Sequence, residues 1–326
     1  MKNNLRCILV GGASLVLVIA SDAAGKPISP EMRISYKIVD EAGVPVPDVS
    51  CRGWIREFDS KGGGYSYSLI SDTNGILTIS GRCSVSFTAF FTKEGYYTSR
   101  LEPCLDIDGT GSFIVDGKWQ PYGEILTVVL KKIKNPYAVK GLSGVQCHRR
   151  IPKFDEWIGF DFEQGDWLQP YGRGMNEDVL VRFKSSVRKH QMDYTHVMEV
   201  SFTNNLYAGF YQKKKDASSD LKSDYFANSN AVFETGMVCV HEKLEKCPRR
   251  WDFLDKDSYL VFRTRTRIDE NGNLKAAHYG KIYGYWCSDD KEMTFGGGCF
   301  NPVENDTNIE GDQSLLYKVR NYKDAK

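Results

Sequence analysis

An excess of charge of either sign is missing from this 326-residue chain: 43 Lys and Arg stand against 42 Asp and Glu, for a net charge of +1. That balance excludes a nucleic-acid binder working by bulk electrostatics, so no nucleic-acid partner is expected. The G-x-S-x-G elbow of serine hydrolases is absent. Histidine is scarce, at five residues, which leaves little material for a histidine-rich metal centre. The apolar run Ile8–Ile19 falls short of the roughly 20 residues that a membrane-spanning helix needs. No cysteine stands where this run ends, at Ala20–Ala24, and Cys7 comes too early; a bacterial lipoprotein anchor is not expected on that ground.

What is present at the start is a secretory pattern: Lys2 and Arg6, the apolar run, then small residues offering cleavage after Ala20, Ala23 or Ala24. Residues 1–24 are therefore expected to be a signal peptide. The protein is expected outside the cytoplasm, secreted, periplasmic or on the cell surface, with no stable membrane span once the signal is removed. Of nine cysteines, eight follow it, and an even number in an exported chain points to disulfides. Spacing makes Cys239–Cys247 and Cys287–Cys299 the easiest pairs. Cys51 and Cys83 are further candidates, in competition with Cys104, and one of the three could reach Cys147.

The chain is organised around Tyr36–Tyr97. Ile34, Tyr36 and Ile38 alternate with Ser35 and Lys37, the period of a half-buried strand. Gly43, Pro45 and Pro47 stop that strand. Val49, Cys51 and Gly53 lead to a second strand at Trp54 and Ile55. Asp72-Thr73-Asn74-Gly75 reads as a turn with Asx chemistry and a left-handed glycine. Short strands follow at Leu77–Ile79 and along Val85, Phe87, Ala89 and Phe91. Gly123–Lys132 closes the set, apolar on both faces, which predicts a central or interface position. This pattern resembles the carboxypeptidase regulatory-like (transthyretin-like) β-sandwich family, over roughly residues 32–133. The matching residues are Gly43-Val44-Pro45-Val46 with Val49, Ser71-Asp72-Thr73-Asn74-Gly75, and Glu94-Gly95-Tyr96. The resemblance implies an accessory module without catalytic residues. A Gly-rich insert near Lys61–Tyr65 and the excursion Leu101–Tyr122 depart from the family.

Residues 134–150 read as a linker, with Pro136, Gly141, Gly144 and a basic His148-Arg149-Arg150. The second domain, 151–326, reads as a β-sandwich or jelly roll. Its strands are expected at Asp178–Ser185, Val197–Thr203, Leu206–Tyr211, Val232–Val240, Tyr259–Ile268, His278–Cys287 and Met293–Phe300, with a hairpin turn at Asp269–Asn273. Gly159–Asp166, Tyr279–Tyr285 and Phe300–Glu310 resemble a module of uncharacterised exported proteins of Verrucomicrobia-type bacteria, which implies an exported β-rich domain and no particular activity. The fold class is all-β throughout.

His196-Val197-Met198-Glu199 matches the H-x-x-E spacing of zinc carboxypeptidases. It lies in an expected strand, where positions three apart face opposite ways, so no metal and no cofactor are expected. Asp161, Glu163, Asp166, Glu199 and Glu234 could supply a glycosidase pair, but nothing selects two of them; no catalytic residue is expected. The stretch Asp155–Gly174 interleaves aromatic and acidic residues. Rings exposed on a β-scaffold take the apolar face of a sugar while carboxylates take its hydroxyls. Trp157, Asp161, Asp166, Trp167 and Tyr171 are the expected ligand-binding residues of a non-catalytic, glycan-binding protein of the bacterial envelope. The competing reading for these rings is core packing. The alternatives in function are a structural or protein-interaction component of the envelope, with an envelope protein as partner, and a hydrolase in the second domain.

Overall fold

The computed structural model describes residues 29–311, apart from 58–62, 85, 104, 106–112, 138–145, 185–186, 191–192, 203–205, 217, 244–249, 253–256 and 285. The expected signal peptide, Cys104 and Cys247 lie outside the described residues. The described chain is all-β, of sandwich type, and contains no helix. It divides into two compact units. Unit 1 runs to Ile133 and includes Ser218–Asp220; unit 2 comprises Lys134–Ala217 and the chain from Leu221 onward.

Unit 1 is built from β1 (Glu31–Asp40), β2 (Ser50–Arg56), β3 (Gly64–Ile70), β4 (Ile76–Arg82) and β5 (Phe87–Thr92). Four shorter pieces follow: β6 (Ser99–Leu101), β7 (Ile114–Val115), β8 (Lys118–Trp119) and β9 (Ile125–Leu130). One sheet has the order β4-β1-β8-β7, with β9 also on β1; the other has the order β3-β2-β5-β6. The period-2 pattern decides which residues meet between them. Met32, Ile34, Tyr36 and Ile38 of β1 face Cys51 and Ile55 of β2 and Phe87, Ala89 and Phe91 of β5 in one buried cluster. Tyr36 meets Phe91 edge-on at 5.2 Å between ring centroids.

The turns are closed by aspartates. Asp72 Oδ1 accepts from the amides of Asn74 and Ile76 at 2.9 and 2.7 Å, and Asp40 Oδ1 does the same for Ala42 and Val44. Half of one expectation, the central position of the closing strand, is corrected: β9 pairs with β1 along one side and leaves Ile125, Leu126 and Val129 exposed. Its two-faced apolar run marks a strand next to the central β1, not a central strand.

Unit 2 opens with β10 (Gln146–Arg150), β11 (Trp157–Asp161), β12 (Asp166–Trp167), β13 (Val179–Phe183), β14 (Val187–His190) and β15 (Asp193–Ser201). It continues with β16 (Gly209–Lys214), β17 (Gly236–Lys243), β18 (Arg250–Asp252), β19 (Ser258–Ile268) and β20 (Leu274–Tyr283). It ends with β21 (Trp286–Ser288), β22 (Glu292–Gly296) and β23 (Gly298–Phe300). A seven-stranded sheet has the order β12-β11-β13-β15-β17-β18, with β14 on β15; a four-stranded sheet runs β16-β19-β20-β23, and a three-stranded one β10-β22-β21. The main core lies among the three, with Phe160, Val181 and Met198 from the first, Phe262 and Phe300 from the second, and Trp286 and Phe295 from the third. The four-stranded sheet is buried on its other face as well, where Tyr259, Val261, Ala277 and Tyr279 pack with Ala227 and Ile309.

Two further expectations are corrected here. Part of the expected linker is a strand, because the basic residues of β10 pair in register with β22 from Gln146↔Gly296 to Arg150↔Glu292. Cys287 is a buried free thiol, so the expected Cys287–Cys299 bridge is not formed. Cys287 lies opposite Thr294 in the three-stranded sheet and Cys299 opposite Lys281 in the four-stranded one. Closeness in sequence did not make them cross-strand neighbours. Cys51 is also a buried free thiol.

Candidate functional site

The aromatic–acidic stretch splits by strand parity. Along β11, Ile158 and Phe160 point into the core and Trp157 points out, 42% exposed. Trp167 is corrected from surface to core: it is 3% exposed, its ring meets Phe160 and Phe183, and its indole N–H donates to the Arg150 carbonyl at 2.9 Å. Asp161 is corrected likewise. It is fully buried; one oxygen accepts from the amides of Met175 and Asn176, the other from Gln164 N–H and Arg265. No acceptor capacity is turned outward for a ligand.

Asp166 holds the loop. Its carboxylate accepts from the Trp167 amide at 3.0 Å and from the Arg173 amide at 3.2 Å. Between those two points the chain turns at Leu168–Gly172, with Tyr171 N–H on the Leu168 carbonyl, and Tyr171 stands 41% exposed. Gly172 is required there, since a Cβ would fall 2.4 Å from the Trp167 carbonyl oxygen. Leu168 lies over the outward side of Gly159, with Cδ1 2.5 Å from where a Cβ would stand. That brings the Tyr171 turn onto the face that carries Trp157, two residues away on β11.

Residues that the sequence did not single out complete this face. Trp157, Arg182, Glu199 and Val238 are direct cross-strand partners over β11, β13, β15 and β17, so they point the same way. The Arg182 guanidinium lies 4.6 Å from the Trp157 ring centroid and its Nε donates to Glu199 at 2.5 Å; Lys184 is 3.7 Å from the same carboxylate. Lys153 pairs with Glu156 at 2.6 Å. That bond, then Glu156's charge, raises the Lys153 ammonium above its ordinary range. The signal for Arg182 was in the sequence: in Val179–Phe183 it is the one charge on the side opposite Val179, Val181 and Phe183.

The remaining carboxylates are distributed otherwise. Glu163 and Asp178 join Asp161 on Arg265, at 2.6 and 2.8 Å. Burial pushes the Asp178 carboxyl upward, against the pull of Arg265 beside it. His196 is buried while Glu199 faces the other way along β15, so the H-x-x-E spacing brings no pair together.

No family model and no curated protein matches this chain. Among solved structures, 3-chlorocatechol 1,2-dioxygenase from Rhodococcus opacus 1CP is 14% identical over 32% of this chain and 61% of its own, at a TM-score of 0.26. A putative carbohydrate binding protein from Bacteroides uniformis ATCC 8492 is 6% identical over 84% of this chain and 100% of its own, at 0.19. The full-length major pilin SpaD from Corynebacterium diphtheriae is 10% identical over 86% of this chain and 84% of its own, at 0.23. None is similar enough to carry a function across. No helix among the described residues is long and apolar enough to cross a membrane.

Proposed function

We propose that this is an exported, non-catalytic glycan-binding protein whose binding face is the outer side of β11, β13 and β15. The observation that carries this reading is the pair of exposed rings, Trp157 and Tyr171, on one face beside Arg182, Glu199, Lys153 and Glu156. The chemistry suits a sugar. A flat ring takes apolar C–H surface, and the charged groups give and accept hydrogen bonds from hydroxyls. Trp157 is fixed by strand pairing and Tyr171 by a pinned loop, so little ordering is left to oppose binding.

The test is intrinsic tryptophan fluorescence of the protein titrated with a panel of neutral plant and host polysaccharides. One polysaccharide class should give a saturable change. Trp157→Ala and Tyr171→Ala should each weaken that binding about tenfold or more, equal to about 1.4 kcal/mol, without shifting the melting temperature. A panel without any saturable response would overturn the reading. In that case the exposed apolar residues of β9 favour the protein-interaction alternative.

A further inference from the structure

A second exposed tryptophan lies in unit 1, on the sheet β3-β2-β5. Cys51 and Ile55 of β2 point into the core, so Arg52, Trp54 and Arg56 point out. Trp54 is 48% exposed, at the centre of the sheet between Ser66 of β3 and Thr88 of β5. Its indole lies over Gly64: Nε1 and Cε2 are 2.6 and 2.8 Å from where a Cβ on that glycine would stand. The missing side chain lets the ring rest against the sheet and leaves its other side to solvent.

Among the described residues, the charge at the outward positions around the ring has one sign. At the outward positions of β2, β3 and β5 there is no carboxylate. The only other charges there are the two arginines, two residues to either side of Trp54 and about 13 Å apart at about 3.3 Å per residue. Neither makes an ion pair among the described residues, whereas Arg100, farther across the sheet over Phe90, is paired with Glu102. Glu57, next in sequence, alternates to the side of Cys51 and Ile55, away from the ring. The nearest outward neighbours bear hydroxyls, with Ser66, Ser68 and Thr88, and Phe90, which lies under Arg100, stands opposite Arg52.

We propose that this face is a second, separate binding site for an acidic polysaccharide, with a sugar ring on Trp54 and carboxylates or sulfates on Arg52 and Arg56. Arginine holds such anions through two parallel N–H bonds. The hydroxyls match sugar rather than a stack of bases, and one aromatic ring with two charges is a small footprint for a nucleic acid. The site uses none of the residues of the Trp157 face and stands whether or not that face binds sugar.

The test is isothermal titration of the protein with polygalacturonate, with its methyl ester, and with single-stranded DNA. Polygalacturonate should bind, more weakly as salt rises. The methyl ester, with the same backbone and no charge, should bind about tenfold or more less tightly. Arg52→Gln with Arg56→Gln should remove most of the polygalacturonate affinity and its salt dependence, and Trp54→Ala should also weaken it. Arg52→Lys with Arg56→Lys should restore the salt dependence but only part of the affinity. Trp157→Ala should leave all of this unchanged, which separates a failure here from a failure of the other face. All of these positions are exposed, so melting temperatures should hold; if Trp54→Ala does not fold, the arginine pair carries the test. Equal binding of the methyl ester, binding of DNA as tight through the same arginines, or no binding of polygalacturonate would each overturn the proposal.

Discussion

A thiol reacts through its thiolate, and burial withholds that form. Burial, with Asp289 adding its charge, pushes Cys287 up to about 12. Burial pushes Cys51 to about 12 as well, against a hydrogen bond with Tyr67. At about pH 8 roughly one thiol in ten thousand would be ionised at either position. Both should therefore resist iodoacetamide in the native protein and react fully in denaturant, as read by peptide mass spectrometry. A Cys287–Cys299 peptide in that digest would contradict the strand pairing described above. The same scale explains why the aromatic stretch was only half legible. That it held surface rings was readable, and Trp157 and Tyr171 are such rings. That Trp167 and Asp161 were not depends on β11 and β12 being strands. The acids obscured the strand pattern, and what makes them tolerable in a core is Arg265, about a hundred residues away.

At the scale of elements, the turns were the most readable part, because an aspartate and a glycine carry most of the geometry within five residues. Asp72–Gly75 and Asp269–Gly272 use the same device, with Asp269 Oδ1 accepting from the Asn271 and Asn273 amides, and β19 ends at Ile268 and β20 begins at Leu274, on either side of that turn. Strands with one wet face were readable for a similar reason. β10 was not, since its basic residues carry no alternation of apolar side chains and its pairing partner lies far along the chain. Two glycines in left-handed conformation separate two costs. Gly43 has φ of 80° and open space around a would-be Cβ; Gly75 has φ of 71° and the Ile38 carbonyl oxygen 2.4 Å away. Gly43→Ala should cost about 1 kcal/mol, the backbone penalty alone. Gly75→Ala should cost at least about 2 kcal/mol, with the clash added. Urea unfolding of both variants decides it, and equal losses would mean that the contact at Ile38 relaxes freely.

At the scale of the whole unit, the two larger sheets of unit 2 are fastened by one cation. Arg265 sits at a register shift in β19 with φ of 51°. It reaches Asp161 at the end of β11, Asp178 just before β13, and Glu163 between them, and it lies 4.5 Å over the Phe300 ring. Burial opposes its charge, but the hydrogen bonds it donates to Asp178 and Glu163 outweigh that and hold it ionised. Asp161 and Asp178 are fully buried side chains, and Arg265 is 18% exposed. Removing the cation would leave two buried carboxylates facing each other with only neutral amide and hydroxyl donors to balance their charge. Arg265→Leu should then destabilise the protein by about 3–5 kcal/mol, and Arg265→Lys by less, since the charge stays while the fork is lost. The effect should reach the surface, because Asp161 also anchors the amides of Met175 and Asn176 at the end of the Tyr171 loop. In Arg265→Lys, if folded, polysaccharide binding at the Trp157 face should weaken while polygalacturonate binding at Trp54 stays the same. Urea unfolding and the two titrations, run on one preparation, measure all of this. A loss below about 1 kcal/mol in Arg265→Leu would mean that water or protonation compensates the carboxylates and that the sheets are held by their apolar core alone.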